Sequence, residues 1–424
     1  MNVAIIGAGY VGLVTAAGLA NLGHRVNVGE VDANRVERLR AGEVPIYEQG
    51  LADLLDRAAE RDLISYHTAN PEAVKGCRFV FLCLPTPEGE DGRADLRYIE
   101  SVIDELANQV EDDALFVIKS TVPPGTVIAL RKRLADLGSP GRVVSHPEFL
   151  REGRAVDDFL VPDRLVIGAF DVSDADAVAA LYLSIDTTVI KTDPTSAEMI
   201  KYASNSYLAT RLTFVNTLAN VCEAVGADVL DVITGMGLDH RIGPHFLQPG
   251  PGYGGSCFPK DTIALIGVAR DAGYDFELLR SVIKADDDQR RRIAEKVRQA
   301  AGGGLRGRRV AMWGIAFKAG TDDVRESPAL RIATLLQEEG AEVVAYDPEA
   351  RSELVRNAAD PVEAAEEADV LLVTTEWPEF STVDMSRVAA VMKGHRVVDA
   401  RNVLDPAAVR GSGLDYWGLG RPGV

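Results

Sequence analysis

Short apolar runs at residues 2–6, 25–29, 79–84, 114–119, 142–145 and 164–168 alternate with amphipathic stretches. Runs of that length, separated by helical periodicity, predict parallel strands buried between layers of helix. The pattern changes at 195–226, where Met199, Tyr202, Leu208, Leu212, Val215, Leu218 and Val221 fall at helical spacing. Asp193-Pro194 ahead of them is a helix start, so one long helix is predicted. More helix should follow, interrupted by the glycine-rich stretch 249–256, and another helix is expected over 280–300. Ala301-Gly302-Gly303-Gly304 reads as a linker. Strand–helix alternation then returns, with strands at 309–314, 342–346, 370–374 and 396–399 and a helix at 327–339.

The two ends of the chain echo each other. Asn21-Leu22-Gly23-His24-Arg25-Val26 parallels Glu338-Glu339-Gly340-Ala341-Glu342-Val343, although helix–Gly–strand is common grammar in α/β proteins. The expected fold is α/β: two Rossmann-like domains with parallel sheets, joined by a long central helix and a helical core. Domain limits of 1–194, 195–300 and 301–424 follow.

Composition narrows the classes. A chain of 424 residues suits two or three domains. A net charge of −19 disfavours a nucleic-acid partner, whose phosphates would be repelled. Cys77, Cys83, Cys222 and Cys257 have neither disulfide-framework nor zinc spacing, so no metal and a reducing, cytoplasmic setting are expected. No signal peptide and no membrane span are expected either.

Gly7-Ala8-Gly9-Tyr10-Val11-Gly12 lies between the first strand and the helix after it. In that context the first glycine makes the tight turn, the second admits a pyrophosphate, and the third lets helix and strand pack closely. Glu30 ends the second strand, where a carboxylate holds ribose hydroxyls and repels a 2′-phosphate. NAD is therefore expected rather than NADP. Thr86, Ser120, Thr121 and Glu148 follow later strands and share the edge where such sheets bind ligands. Singly, each is an ordinary turn or cap residue.

The stretch Pro249-Gly250-Pro251-Gly252-Tyr253-Gly254-Gly255-Ser256-Cys257-Phe258-Pro259-Lys260-Asp261 is the most informative. Its glycines allow close backbone approach and leave N–H groups for an anion. Cys257 precedes a helix start, which favours thiolate, and Asp261 lies one turn on. Lys201 and Asn205 share a helix face, where an ammonium and an amide can hold an oxyanion. The other three cysteines lie in apolar runs and read as small buried hydrophobes.

These residues resemble the UDP-glucose/GDP-mannose dehydrogenase family over essentially the whole chain. The glycine loop, 120–126, 147–153, 197–205, the Cys257 loop and 317–328 carry the resemblance in order. It implies an NAD-binding first domain, a helical dimerisation core and a nucleotide-sugar-binding last domain. It also implies four-electron oxidation of a sugar C6 alcohol to a carboxylate through a cysteine thiohemiacetal and thioester. In that pattern Cys257 is the nucleophile, Lys201 and Asn205 steady the oxyanion, Asp261 and Thr121 order water, and Glu148 is an acid/base. Gly7, Gly9, Tyr10, Val11, Gly12, Glu30, Arg35, Thr86 and Thr121 fall to the cofactor. Glu148, Phe149, Leu150, Glu152, Lys201 and Asn205 fall to the substrate, as do Phe246, Leu247, Tyr253, Gly254, Lys318 and Arg401; Arg241 is expected to reach a neighbouring subunit's site.

The 241–247 string and the Pro249–Gly255 loop look more like the UDP-glucose branch and favour UDP-glucose as substrate, while 317–323 is shared with the GDP-mannose branch. A non-catalytic nucleotide-sugar binder would be expected to have lost Cys257 or Lys201. Four positions depart from the family habit: His146 for Asn, Pro85 for Gly, Glu30 for Asp, and Gly29 for a larger residue. The first two are expected to adjust the nicotinamide pocket.

Overall fold

The computed structural model describes residues 1–89 and 92–422. Two compact units divide the chain: Met1–Ser204 with Ile263–Ala272, and Asn205–Thr262 with Gly273–Val424. The first is built on β1 (Asn2–Ile6), β2 (Arg25–Gly29), β3 (Ile64–His67), β4 (Phe79–Leu82), β5 (Leu115–Ile118), β6 (Arg142–Ser145), β7 (Arg164–Gly168) and β8 (Thr188–Thr192). Their spatial order is β3-β2-β1-β4-β5-β6-β7-β8. Every residue of β4 and β5 is buried, as expected for strands covered on both faces.

The sheet is not parallel throughout. β7 runs antiparallel to β6, while β8 follows β7 in parallel. An uninterrupted apolar run reports burial and not direction, which is why the pattern did not reveal this. β3 and β8 also lack such runs. They are the two edges, one half-buried and the other largely exposed.

In the second unit β9 (Arg309–Trp313), β10 (Glu342–Tyr346), β11 (Arg356–Asn357), β12 (Val370–Val373), β13 (Arg396–Asp399) and β14 (Asp415–Gly418) form a wholly parallel sheet in the order β11-β10-β9-β12-β13-β14. Again the strands that the apolar pattern missed, β11 and β14, are the edges. The chain order reverses between β1 and β4 and between β9 and β12, and such reversals open a crevice at the strands' carboxyl ends. The echoed glycines serve one purpose. Gly23 (φ 87°) and Gly340 (φ 93°) end the helices Tyr10–Asn21 and Pro328–Glu338 in the left-handed conformation that a side chain resists.

The long helix spans Pro194–Val225, and Asp193 Oδ1 accepts from the Ser196 N–H at 2.9 Å to open it. Further helices cover Val229–Gly237, Phe258–Asp271 and Glu277–Ala300. Among the described residues no helix is long and apolar enough to cross a membrane.

Candidate active site

The glycine loop after β1 has the geometry of a phosphate cradle. Gly7 sits at φ 100°, and a Cβ there would lie 2.6 Å from the Cys83 carbonyl oxygen. At Gly12 a Cβ would meet the Gly7 carbonyl oxygen at 1.8 Å, so only glycine lets the helix begin this close to the strand. Gly9 differs: a Cβ would touch nothing within 4 Å. The open space lies over the N-cap of the helix Tyr10–Asn21, which has no side-chain cap. Amide groups facing open space at a helix start suit an anion. Glu30 folds over the same loop, accepting from the Ala8 N–H (3.1 Å) and the Asp32 N–H (3.0 Å), with Arg35 3.6 Å away.

Along the same edge, Thr86 donates to the Thr121 carbonyl at 2.9 Å. Ser120 accepts from the Leu84 N–H at 2.8 Å and donates to the Leu84 carbonyl at 2.7 Å, so it braces the loops after β4 and β5 and is not left for a ligand. Glu148 and Lys201 form a buried ion pair of 2.8 Å. The second Glu148 oxygen accepts from the Leu150 N–H at 2.5 Å. Burial works to raise the Glu148 pKa, but the Lys201 ammonium and the Leu150 amide outweigh it and hold the carboxyl below its ordinary range. Phe149 stacks under Arg164 at 3.8 Å and faces the Lys201 ammonium at 5.4 Å.

Lys119, at the end of β5, is a further charged group in this neighbourhood. Burial pushes its pKa down to about 8, against the pull of Glu148 and Cys83. A lysine closing an otherwise apolar strand, directly before Ser120-Thr121, was the available sequence signal.

In the second unit Cys257 precedes the helix Phe258–Asp271, and its carbonyl accepts from the Asp261 N–H at 3.0 Å. Asp261 is wholly buried. Its carboxylate accepts from the Asn205 amide at 2.6 Å and from Lys260 at 2.5 Å. Ser256 Oγ lies 3.6 Å from Cys257 Sγ. The long helix carries both Lys201 and Asn205, four residues apart.

The expected free amides of the glycine-rich stretch are partly spent on the protein. Gly250 N–H donates to Asn216, Tyr253 N–H to Asp286 and Gly255 N–H to the Arg325 carbonyl. The Gly250 carbonyl accepts from Gln289 and the Tyr253 carbonyl from Arg290. These contacts hold the loop in place, and the sequence pattern did not reveal Asn216, Asp286, Gln289 or Arg290. Glycine is still required for packing: a Cβ at Gly254 would lie 2.5 Å from the Glu326 carbonyl oxygen, and one at Gly250 2.6 Å from the Arg401 guanidinium. Arg401 also donates to the carbonyls of Thr374 and Phe317, and Lys318 lies over the Phe317 ring at 5.6 Å. Tyr253, Gly254, Lys318 and Arg401 thus belong to the loops around one segment.

Two candidates lie elsewhere. The Leu247 side chain is packed in the helical core with Val215, Ala219 and Ile233, leaving only its backbone for a ligand. Arg241 is exposed and pairs with Asp239 at 2.6 Å. Phe246 adopts φ 56°, a strained value for a side-chain-bearing residue.

Three matches with known proteins cover most of the chain. Residues 1–186 match the UDP-glucose/GDP-mannose dehydrogenase family NAD binding domain, 195–288 its central domain, and 311–406 its UDP binding domain. A UDP-glucose 6-dehydrogenase of Rhizobium meliloti is 42% identical over 100% of both chains. One from Bacillus subtilis is 40% identical over 100% of this chain and 94% of its own. The chain belongs to the UDP-glucose/GDP-mannose dehydrogenase family. A solved UDP-glucose dehydrogenase from Pyrobaculum islandicum superposes with a TM-score of 0.92 at 37% identity, covering 99% of this chain and 98% of that one. Membership makes the chain an NAD-dependent dehydrogenase, and the loop at Gly7–Gly12 fits that cofactor.

Two of the departures from family habit have structural explanations. His146 is wholly buried: Nδ1 lies 2.7 Å from the Val166 carbonyl oxygen and Nε2 3.1 Å from the Tyr182 hydroxyl. The carbonyl can only accept, so Nδ1 carries the proton and Nε2 accepts from Tyr182. Burial holds the ring well below its ordinary pKa. Both nitrogens are bonded within the core, to the Val166 carbonyl and the Tyr182 hydroxyl. At Gly29 a Cβ would meet Asn70 Oδ1 at 2.9 Å and Ala73 Cβ at 3.2 Å, so a larger residue would displace the helix Asn70–Val74. Pro85 is exposed, next to buried Thr86.

Proposed function

We propose that this chain oxidises UDP-glucose at C6 to UDP-glucuronate. The observation that carries the reading is Cys257 at a helix start, one turn before a buried Asp261 that is hydrogen-bonded to Asn205. A two-electron alcohol dehydrogenase has no use for that cysteine. The substrate follows the names of the relatives, which are UDP-glucose 6-dehydrogenases at 40% and 42% identity.

NAD⁺ supplies the hydride acceptor, and two equivalents are needed for four electrons. Gly7, Gly9, Tyr10, Val11, Gly12, Glu30, Arg35, Thr86 and Thr121 would hold it. The first oxidation leaves an aldehyde, a poor hydride donor. The Cys257 thiolate adds to its carbon, the C–S bond forms, and the carbonyl electron pair moves to oxygen, which takes a proton. The resulting thiohemiacetal gives up the second hydride and its hydroxyl proton and becomes a thioester. Water then attacks and gives up its two protons, the C–S bond breaks, and the thiolate returns with release of the carboxylate.

Lys201 and Asn205 steady the oxyanions of addition and hydrolysis. Asp261 and Thr121 order the water, and Glu148 moves protons. Glu148, Phe149, Leu150, Glu152, Phe246, Leu247 through its backbone, Tyr253, Gly254, Lys318 and Arg401 bind the nucleotide sugar. In this reading 1–194 binds NAD, 195–300 is the dimerisation core and 301–424 binds the nucleotide. The long helix supports the dimer: Tyr207, Phe214 and Val221, spaced seven apart, are 64%, 56% and 52% exposed. A heptad-spaced apolar stripe of this kind pairs with its own copy, and Arg241 would then reach the partner's site. The buried cysteines, none in a disulfide, suit a cytoplasmic setting.

The test compares NADH production from UDP-glucose, UDP-galactose, UDP-N-acetylglucosamine and GDP-mannose, and repeats it with Cys257→Ser and Cys257→Ala. UDP-glucose should give the highest kcat/KM. Cys257→Ala should bind it without forming glucuronate, and Cys257→Ser should gain the mass of a trapped ester. Near-normal glucuronate from Cys257→Ala would make the thiol structural.

A further inference from the structure

A buried carboxylate outside the proposed chemistry ties the cofactor loop to the segment carrying Glu148. Glu48 is 7% exposed. One of its oxygens, Oε2, takes the hydroxyl proton of Tyr10 and the N–H of Gly153 at 2.6 Å. The other, Oε1, takes the N–H of Ala155 at 2.8 Å. The Tyr10 hydroxyl also accepts from Gly153 N–H at 2.9 Å, so three groups close on one another. Tyr10 is the first residue of the helix above the glycine loop. Gly153 (φ 78°) is the turn between the 148–152 segment and the helix Ala155–Leu160.

A second contact joins the same two helices. A Cβ at Gly18 would lie 2.2 Å from the Phe159 ring, so that ring, carried by the helix Ala155–Leu160, seats directly on the backbone of the helix Tyr10–Asn21. The two helices are therefore held at both ends, by Glu48 at their starts and by Gly18 against Phe159 further along. A displacement of the cofactor loop cannot stop at Tyr10. It is passed to the backbone of 153–155 and from there to Glu148, whose own Oε2 is bound to the Leu150 N–H. Packed elements of this kind transmit small shifts because they cannot deform locally.

We infer that Glu48, through the Tyr10 hydroxyl and the Gly153 and Ala155 amides, is a positioning residue that couples cofactor binding to the 148–153 segment. The inference rests on the proposal that this segment binds the nucleotide sugar. The carboxylate charge is essential to it. An amide in its place has one accepting oxygen and an NH₂ that would face donors.

The experiment compares the full-length protein with Glu48→Gln and Tyr10→Phe. Hydrogen exchange of peptides spanning 150–156 is followed with and without saturating NADH, with no nucleotide sugar present. Calorimetry then gives the UDP-glucose Kd with and without NADH. In the parent protein NADH should slow exchange at 150–156 and tighten UDP-glucose about 10-fold, a common size for coupling between sites. Glu48→Gln should still bind NADH but lose the protection, with the ratio of the two Kd values within about twofold of unity. Tyr10→Phe removes a single oxygen and should fold whatever Glu48→Gln does; it should lose most of the ratio. Variants that melt earlier yet keep the parent's protection and ratio would reduce Glu48 to a helix cap and overturn the inference, as would a parent protein in which NADH leaves 150–156 unprotected. If protection appears but UDP-glucose does not bind, the coupling stands and the substrate reading falls.

Discussion

The two sheets share a strand order and differ in what their first crevice is left to do. Gly314 follows β9 as Gly7 follows β1: it sits at φ 93°, and a Cβ would strike Thr375 at 2.3 Å. Asp347 follows β10 as Glu30 follows β2. There the likeness stops. Asp347 is 1% exposed, and its carboxylate accepts from the amides of Ile315, Ala316, Glu349 and Ala350 and from the Trp377 indole. It fills the second loop with the protein's own hydrogen bonds. Glu30 makes two amide contacts and borders the open space at Gly9. One acid closes a crevice and the other furnishes one. Topology thus provides a place for a ligand, and the side chains at the strand ends decide whether it stays open. Near the second crevice, Lys318 lies over the Phe317 ring, and Arg401 is held by the Thr374 and Phe317 carbonyls and by Glu376 at 3.1 Å.

The largest effect is expected from Lys201→Met, on the open side. It would leave Glu148 buried without its cation, a loss of about 3–5 kcal/mol of stability. The kcat should fall at least about 100-fold, on the scale of a lost oxyanion donor. Denaturant melts and steady-state kinetics measure the two; normal kcat would detach Lys201 from the chemistry.

Asp347→Ala should strike the closed crevice instead. Several amides lose a buried charged acceptor, and a cost of about 3 kcal/mol is expected. The preference for NAD⁺ over NADP⁺ should not move. A changed preference with unchanged stability would show that the acid serves a ligand after all.

A smaller effect, and one of opposite sign, belongs to Asp286 beneath the glycine-rich loop. Burial pushes its pKa up to about 6, with Arg290 and the Tyr253 amide opposing. A carboxyl with a raised folded-state pKa binds its proton more tightly folded than unfolded. Stability therefore falls as pH rises from about 4, the unfolded value, to about 6. Asp286→Asn should raise Tm at pH 7 by a few degrees and leave it nearly unchanged at pH 4. A loss of Tm at both values would mean that the Arg290 pair outweighs the burial cost.

The smallest shift is expected from Glu30→Gln. It should cut the preference for NAD⁺ over NADP⁺ about 10-fold, roughly 1.4 kcal/mol of lost charge repulsion, with Tm within a degree or two. An unchanged ratio of kcat/KM would separate Glu30 from the ribose.

Much of this molecule was legible along the chain because strong local signals carry it. Fully buried strands need uninterrupted apolar runs, and β4, β5 and β12 have them. Asp193-Pro194 marks the long helix because a cap and a fixed φ act within a few residues. The glycines at 7 and 12 were readable because only glycine fits there. Edge strands were not readable, since exposure on one side breaks the apolar run.

What the chain determined by itself were the properties that depend on neighbours a few residues away: strand and helix periods, the turn at Gly7, and the adjacency of Cys257 to a helix start. The tertiary structure alone decided the partners. It paired Lys201 with Glu148 and Asn205 with Asp261, committed His146 and Leu247 to the core, and brought Glu48 to Tyr10 and Gly153. The physical reason is one of range. Backbone conformation is set by local sterics, whereas burial and hydrogen-bond partners are settled only when segments distant in sequence compete for the same donors and the same space. Nothing in Tyr47-Glu48-Gln49 marks its carboxylate as the acceptor for a tyrosine and two amides, because the groups it serves lie 38 to 107 residues away.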